Sequence, residues 1–368
     1  MNAFIFMPMW CGIIYFLCKT NRFTVVELLD DKKVIRQSVG FALFAFLPIF
    51  LLASIGEPCA DVVSYLNSFH NTSLSLESVK FDESGWGFNL FVVVCKMLFG
   101  NHEIPYRIAL AMIHSLPIIF IFRKYSDNYC TSLFLFVSSA IYLSWMMNGL
   151  RQFMAVTIVL ASMSFLVKKK YIQVCLMILL AITIHQTAII MLPIVFIAQG
   201  KAFNRLTMFF IIISILLVGV FGQNGGLFET ALSGTEYEMG YELVKNYDDG
   251  VSPIRVLVNA IPVVLAILDR RKLERENSKF VNICINMSII TLGVGLVAMV
   301  TSGIFVGRLI IYTQLFNYIV LPKLINDTFN KRSRVMVYFI MILFYLVYYK
   351  YELGNYFYYD IDFFGGLR

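Results

Sequence analysis

Twelve apolar runs of near-membrane length follow one another along this chain, at 2–18, 38–55, 105–122, 129–147, 150–167, 171–184, 187–199, 205–221, 254–269, 280–300, 304–321 and 334–350. A bilayer core about 30 Å thick takes roughly 20 apolar residues per helix. The pattern therefore predicts an all-α polytopic membrane protein of about twelve transmembrane helices, forming one helical domain over residues 1–368. Only 14% of the residues are charged, against about 25% in soluble domains. Too little charge remains to clothe a soluble fold of this size. The pair 171–184 and 187–199 is short, and reads as a hairpin of half-spans or one broken helix. The run 87–99 is shorter still and is bounded by Gly85, Gly87 and Gly100, which predicts a re-entrant or interfacial helix.

The basic residues set the orientation. Segments 19–37, 123–127, 168–170, 200–205, 270–279 and 322–333, with Arg334, hold 21 of the 30 lysines and arginines, and these are expected in the cytoplasm. The assignment works if 87–99 does not cross, and it places both termini outside. The net charge of +7 does not point to nucleic acid, because the basic residues lie in short loops and form no continuous stripe. The seven cysteines lack CxxC spacing and mostly sit in apolar runs, so neither a disulfide framework nor a zinc site is expected. The first run lacks the features of a cleaved signal peptide and reads as a retained span. Two long outer loops are expected, 56–104 and an acidic one at 222–253.

Ionisable residues in or beside membrane spans are expensive and mark candidate sites. Several share the outer side. Arg151 and Gln152 stand at the tip of a tight hairpin, in Asn148-Gly149-Leu150-Arg151-Gln152. His185 interrupts the 171–199 run. Arg255 opens the span after the acidic loop, with Asn259 one turn on. Arg308 is expected about 7 Å into its helix, counting 1.5 Å per residue from Gly303, with Tyr312 one turn further. Asp61, Tyr65 and Glu83 lie in the first outer loop. Each has a plain reading: headgroup-level snorkelling for Arg151, interface anchoring for Arg255, a structural ion pair for Arg308, a helix-break cap for His185, and solvated loop acids for Asp61 and Glu83. As a set they suggest more. Arginine keeps its charge when desolvated and grips phosphate with paired hydrogen bonds, so three arginines on one face suit a lipid-linked phosphate or pyrophosphate. A nearby carboxylate could then act as general base. No Walker A, GxSxG or HExxH motif is present, and the four histidines lack ligand spacing. The expected chemistry is metal-independent and uses no cofactor.

Gly56-Glu57-Pro58-Cys59-Ala60-Asp61 with Tyr65, then Glu83-Ser84-Gly85-Trp86, resembles the opening of the EpsG-type membrane proteins. Asn148-Gly149-Leu150-Arg151-Gln152 resembles that family's N-G-[IL]-R-Q hairpin, and Leu180-Ala181 followed by His185-Gln186-Thr187-Ala188 resembles its "LA…H-x-[ST]-A" element. Ser252-Pro253-Ile254-Arg255 and Gly307-Arg308 with Tyr312 fall where later family arginines are expected. The sequence departs from the pattern in having Cys59-Ala60 before Asp61, which keeps Glu83 open as the base.

The resemblance implies a GT-C-like helical fold and a Wzy-type polymerase of bacterial exopolysaccharide, capsule or O-antigen. The implied substrate is an oligosaccharide repeat on undecaprenyl pyrophosphate, and a chain-length regulator is an implied partner. The implied location is the plasma (inner) membrane, with the site facing the periplasm or cell exterior. On this reading Arg151, Arg255 and Arg308 stabilise pyrophosphate, Asp61 or Glu83 takes the acceptor proton, and His185, Gln152, Tyr65 and Tyr312 orient phosphate or sugar. Two rivals stay open. A lipid-linked oligosaccharide flippase predicts charges along a path through both leaflets. An O-antigen ligase or a glycosyltransferase using polyprenyl-phosphate sugars predicts a different acceptor.

Overall fold

The computed structural model describes residues 2–18, 23–29, 32–223, 226–233, 239, 241–242, 250–356 and 365. Of the acidic loop at 222–253, Glu236, Glu238, Lys245, Asp248 and Asp249 lie outside the described residues. The chain is a helical, multi-pass membrane protein. Among the described residues, five helices are long and apolar enough to cross a bilayer, at 103–125, 150–167, 205–222, 279–299 and 331–354, and seven shorter apolar helices accompany them. The fold divides into two compact units, one of residues 1–192 with 331–368 and one of residues 193–330.

The first unit contains α1 (Ala3–Cys18), β1 (Thr24–Leu29), β2 (Lys32–Gln37), α2 (Val39–Ile55), α3 (Asp61–Asn71), α4 (Trp86–Phe99), α5 (Glu103–Tyr125), α6 (Tyr129–Ser138), α7 (Ile141–Trp145), α8 (Leu150–Val167) and α9 (Tyr171–Ile184). The last helix, α17 (Lys331–Tyr356), belongs to it as well; α10 (Met191–Ile197) carries the chain out of it. Helix α5 is central, packed against α2, α4 and α8, while α6 lies between α1 and α17. Its apolar surface is closed by aromatic contacts such as the stacked pair Phe69–Tyr106, 4.5 Å between centroids.

The all-α expectation needs correction at 24–37, where the structure shows an antiparallel hairpin with Thr24 opposite Gln37 and Leu29 opposite Lys32. The β-branched residues Thr24, Val25, Val26, Val34 and Ile35 favour strand, and the register closes around a two-residue connection. A reading based on positive charge sees only a basic loop here. The hairpin is tied to the end of α5. Arg123 donates from Nε to the Gln37 carbonyl (2.7 Å) and pairs with Glu27, and Arg36 donates from Nη1 to the Ser126 carbonyl. Tyr125 reaches Ser164 near the end of α8 (3.4 Å). The basic segments 19–37 and 123–127 thus meet at one end of the unit.

The expected span 129–147 is broken. Ser138 and Ser139 hydrogen-bond back to the carbonyls of Phe134 and Phe136, a habit that competes with helix continuation. Ala140 then adopts φ 56° and ends the run between α6 and α7. Cys18 and Cys130 are joined as a disulfide between α1 and α6; 112 residues separate them, so no short-spacing motif announces the pair. The residues before α4 touch Arg151 at the start of α8. Near its end, Lys96 donates to the carbonyls of Phe69 and His70 (2.8 and 2.7 Å). His70 pairs with Glu103, and Arg107, one turn into α5, donates to the Gly56 carbonyl. Helix α4 begins and ends at the face opposite the hairpin.

The second unit contains α11 (Arg205–Gln223), α12 (Gly226–Leu232), α13 (Pro253–Leu268), α14 (Arg270–Glu276), α15 (Lys279–Met299) and α16 (Ile311–Thr328). Helix α15 packs against α11, α13 and α16. Asn286 of α15 fastens the 198–203 connection by donating to the carbonyls of Ala198 and Lys201 (both 3.0 Å) and accepting from the Phe203 N–H (3.0 Å). At the same end Asp327 receives Lys272 and Lys323 (2.6 and 2.7 Å). The expected span 304–321 starts later, at Ile311. Ser302 holds the preceding turn by accepting the Phe305 N–H on its hydroxyl (2.9 Å) and the Gly307 N–H on its carbonyl (2.9 Å).

Candidate functional site

Four segments of the first unit meet at the end away from the hairpin: the start of α3, the 83–85 turn, the 148–152 turn into α8, and the break after α9. The 83–85 and 148–152 turns depend on special backbone. Gly149 has φ 86° and caps α8, and a Cβ there would lie 2.4 Å from the Trp145 ring. Gly85 has φ 82°, and a Cβ there would sit 1.7 Å from Arg151 Nη2. Only glycine gives this backbone without strain while leaving the space clear.

Asp61 opens α3 with its carboxylate turned onto the 148–149 turn. Oδ2 accepts the Gly149 N–H at 3.1 Å. The Asn148 amide, oriented with its nitrogen toward the carboxylate, donates to both oxygens at 2.9 and 3.0 Å. One acid on α3 therefore organises the turn that presents Arg151. The Arg151 guanidinium lies 5.9 Å from the centroid of the Phe88 ring and donates from Nη2 to the Ser84 carbonyl at 3.4 Å. Its buried Nε has no partner among the described residues. Donor capacity is left over at the position where an anion would use it.

The α9 break completes the wall. His185 is extended (φ −150°) and caps the following 3-10 turn, with Nδ1 accepting the Thr187 N–H at 3.4 Å. The Thr187 hydroxyl lies 2.8 Å from the same nitrogen and accepts from buried Gln152 Nε2 at 3.2 Å. A hydroxyl that receives Gln152 donates onward to Nδ1, so the network assigns the ring proton to Nε2. Gln186 accepts from the Ser84 hydroxyl at 3.0 Å, linking the break to the 83–85 turn. Tyr65 packs edge-on to Phe88 at 5.4 Å. The structure thus brings together Asp61, Tyr65, Arg151, Gln152 and His185. Glu83 is in the neighbouring turn, but its carboxylate is paired with exposed Lys80 at 2.7 Å.

Arg255, Arg308 and Tyr312 belong to the second unit. Arg255 is half-buried in the first turn of α13. Arg308 corrects its expected depth: it stands exposed on a 3-10 turn, Gly307–Ile310, ahead of α16. Tyr312 is buried in α16. Asn259 is part of a cluster of amides: its Oδ1 accepts from Gln314 Nε2 and Asn317 Nδ2, both at 3.1 Å. Sequence reasoning passed over Gln314 and Asn317; the available signal was two amides at i and i+3 inside an apolar helix.

Arg107 was also missed, having counted only as an outer basic residue. It is 4% exposed, and its Nε and Nη1 have no partner among the described residues. With Tyr65, His114 and Leu150 it lines a small void under α3. The signal was present, since Arg107 is a lone cation inside an apolar run.

Next to this site, burial pushes the Cys59 thiol up to about 11; the charge of Glu57 adds to the rise and Arg107 opposes it. The thiolate is the reactive form. Maleimide labelling of a variant keeping only Cys59 is expected to keep accelerating between pH 9 and 11. A plateau near pH 9 would contradict the burial seen here.

The first unit of this helical membrane protein thus presents a carboxylate-braced arginine turn with an adjoining histidine–threonine–glutamine network at one end. The chain matches the EpsG family over residues 39–359 and belongs to that family, which is associated with polysaccharide polymerases. No curated protein and no solved structure matches the chain.

Proposed function

We propose that this protein is a Wzy-type polysaccharide polymerase of about twelve spans and GT-C-like arrangement, working at the non-cytoplasmic face of the bacterial plasma membrane. The observation that carries the reading is the Asp61–Asn148–Gly149 brace, which ties a carboxylate to the turn that carries Arg151, an arginine with an unspent buried donor. The substrate in this reading is an oligosaccharide repeat on undecaprenyl pyrophosphate, of the kind used for exopolysaccharide, capsule or O-antigen.

The acceptor hydroxyl attacks the anomeric carbon of the donor glycan. The new C–O bond forms as the bond to pyrophosphate breaks, and the electron pair leaves with the pyrophosphate oxygen. Asp61 takes the hydroxyl proton, with Glu83 as the second choice. Arg151 stabilises the charge growing on the leaving group, and His185 with Gln152 and Tyr65 orients sugar and phosphate. Arg255, Arg308 and Tyr312 are carried by the family resemblance alone. The step needs no nucleotide and, in this proposal, no metal.

The test is elongation by purified protein in nanodiscs supplied with a lipid-linked repeat. Wild type is expected to give a ladder of longer lipid-linked glycans. Asp61→Asn keeps the side chain's size and is expected to slow the ladder by about 10²-fold or more, the usual worth of a positioned base. A folded wild type that binds substrate without elongating it favours flipping or ligation instead.

A further inference from the structure

The hairpin end of the first unit carries a second feature that the polymerase reading leaves unused. Two cavities adjoin there. One of about 350 Å³ lies between α1, α6 and α17 and is lined by apolar side chains including Cys11, Phe16, Phe134 and Met341. The other, of about 340 Å³, lies where α1, α6 and the hairpin meet and is lined by Arg36, Gln37, Arg123, Ser126 and Asn128. Tyr15 lines both. At the entry to α6, residues 126–129 line the polar cavity, whereas Cys130, Thr131 and Phe134 of α6 line the apolar one. The two therefore form one amphipathic cleft, apolar along the helices and polar at the hairpin.

The polar end holds groups that the protein does not satisfy. Arg123 is committed to Glu27 and to the Gln37 carbonyl. Arg36 is 9% exposed and uses Nη1 on the Ser126 carbonyl, yet its Nε is buried without a partner among the described residues. Beside it, Gln37 Oε1 is a buried acceptor without a donor among the described residues. Asp127 lines the cavity too and supports the charge on Arg36. An orphan cationic donor next to an orphan acceptor matches a headgroup that offers a phosphate oxygen and a hydroxyl together. Polar basic pockets at the ends of spans are sites for such headgroups.

We infer that this cleft binds an anionic glycerophospholipid with a hydroxylated headgroup, of the phosphatidylglycerol type, with the headgroup on Arg36 and Gln37 and an acyl chain between α1, α6 and α17. The inference is independent of the glycan chemistry proposed above. Native mass spectrometry of the delipidated full chain, titrated separately with phosphatidylglycerol and phosphatidylethanolamine, tests it. Wild type is expected to retain phosphatidylglycerol about tenfold better. Arg36→Gln is expected to bring retention down to the phosphatidylethanolamine level, and Arg36→Lys to recover part of it. Gly12 lines the apolar cleft with open space where a Cβ would go, so Gly12→Phe fills the cleft from an unstrained position. It is expected to weaken both lipids together in a protein that stays monodisperse. Equal retention of the two lipids by wild type overturns the inference. So does an unchanged preference in Arg36→Gln, unchanged retention in Gly12→Phe, or complete displacement of the lipid by millimolar inorganic phosphate, which marks a simple anion site.

Discussion

Arg151→Ala is expected to lower glycan elongation by about 10²–10³-fold, the usual effect of removing one fixed donor from a developing oxyanion, with expression and monodispersity unchanged. The guanidinium makes one long hydrogen bond, to the Ser84 carbonyl, and rests on the Phe88 ring. Little of the fold hangs on it, and its loss should be read in turnover and not in stability. Arg151→Lys keeps the charge but loses the planar fork, so it is expected to recover only a small part of the rate. Gly85→Ala provides an independent arm. Its Cβ would occupy the place of Arg151 Nη2, and the atom displaced is the far end of a flexible side chain. The variant is expected to fold and yet reproduce most of the Arg151→Ala defect, although it leaves every charged group in place. Normal elongation by Gly85→Ala and Arg151→Ala together would remove this arginine from the reaction.

The helices were legible because membrane insertion forces apolar runs of fixed length. The expected boundaries at 38–55, 150–167, 171–184 and 254–269 fall within two residues of the helices formed. What hydropathy cannot see is local backbone chemistry: two serines turning onto their own carbonyls before Ala140, or Ser302 delaying α16 until Ile311. The β-hairpin was hidden because the same segment carried the strongest charge signal, which was read for orientation and not for strand alternation. In the site, the Asn-Gly-Leu-Arg-Gln and His-Gln-Thr motifs were visible as polar interruptions of apolar runs. That Asp61 is the partner of Asn148 and Gly149 was not, since 88 residues separate donor and acceptor and no spacing rule reaches so far. Arg107 shows the opposite failure. Its position inside an apolar run was in view, but a census of charges by side gave it a topological role, and only the fold reveals two guanidinium nitrogens buried without partners.

Gly149→Ala is expected to be the most disruptive small substitution in the site. A non-glycine residue in the left-handed region costs about 1–2 kcal/mol. The added methyl meets the Trp145 ring at 2.4 Å, and overpacking of this kind costs typically about 1–3 kcal/mol more. Both costs fall on the turn whose N–H and neighbouring amide hold Asp61. The variant should lose roughly 2–5 kcal/mol, seen as a drop of several degrees in apparent Tm, and elongation should fall with it even at temperatures where the protein is fully folded. Trp145→Ala in the same chain separates the two causes. It removes the ring but leaves the backbone cost, so the double variant should regain part of the stability lost by Gly149→Ala, a coupling expected of residues in contact. If the two substitutions are additive, the ring is not what Gly149 makes room for, and the turn must owe its glycine to the positive φ alone.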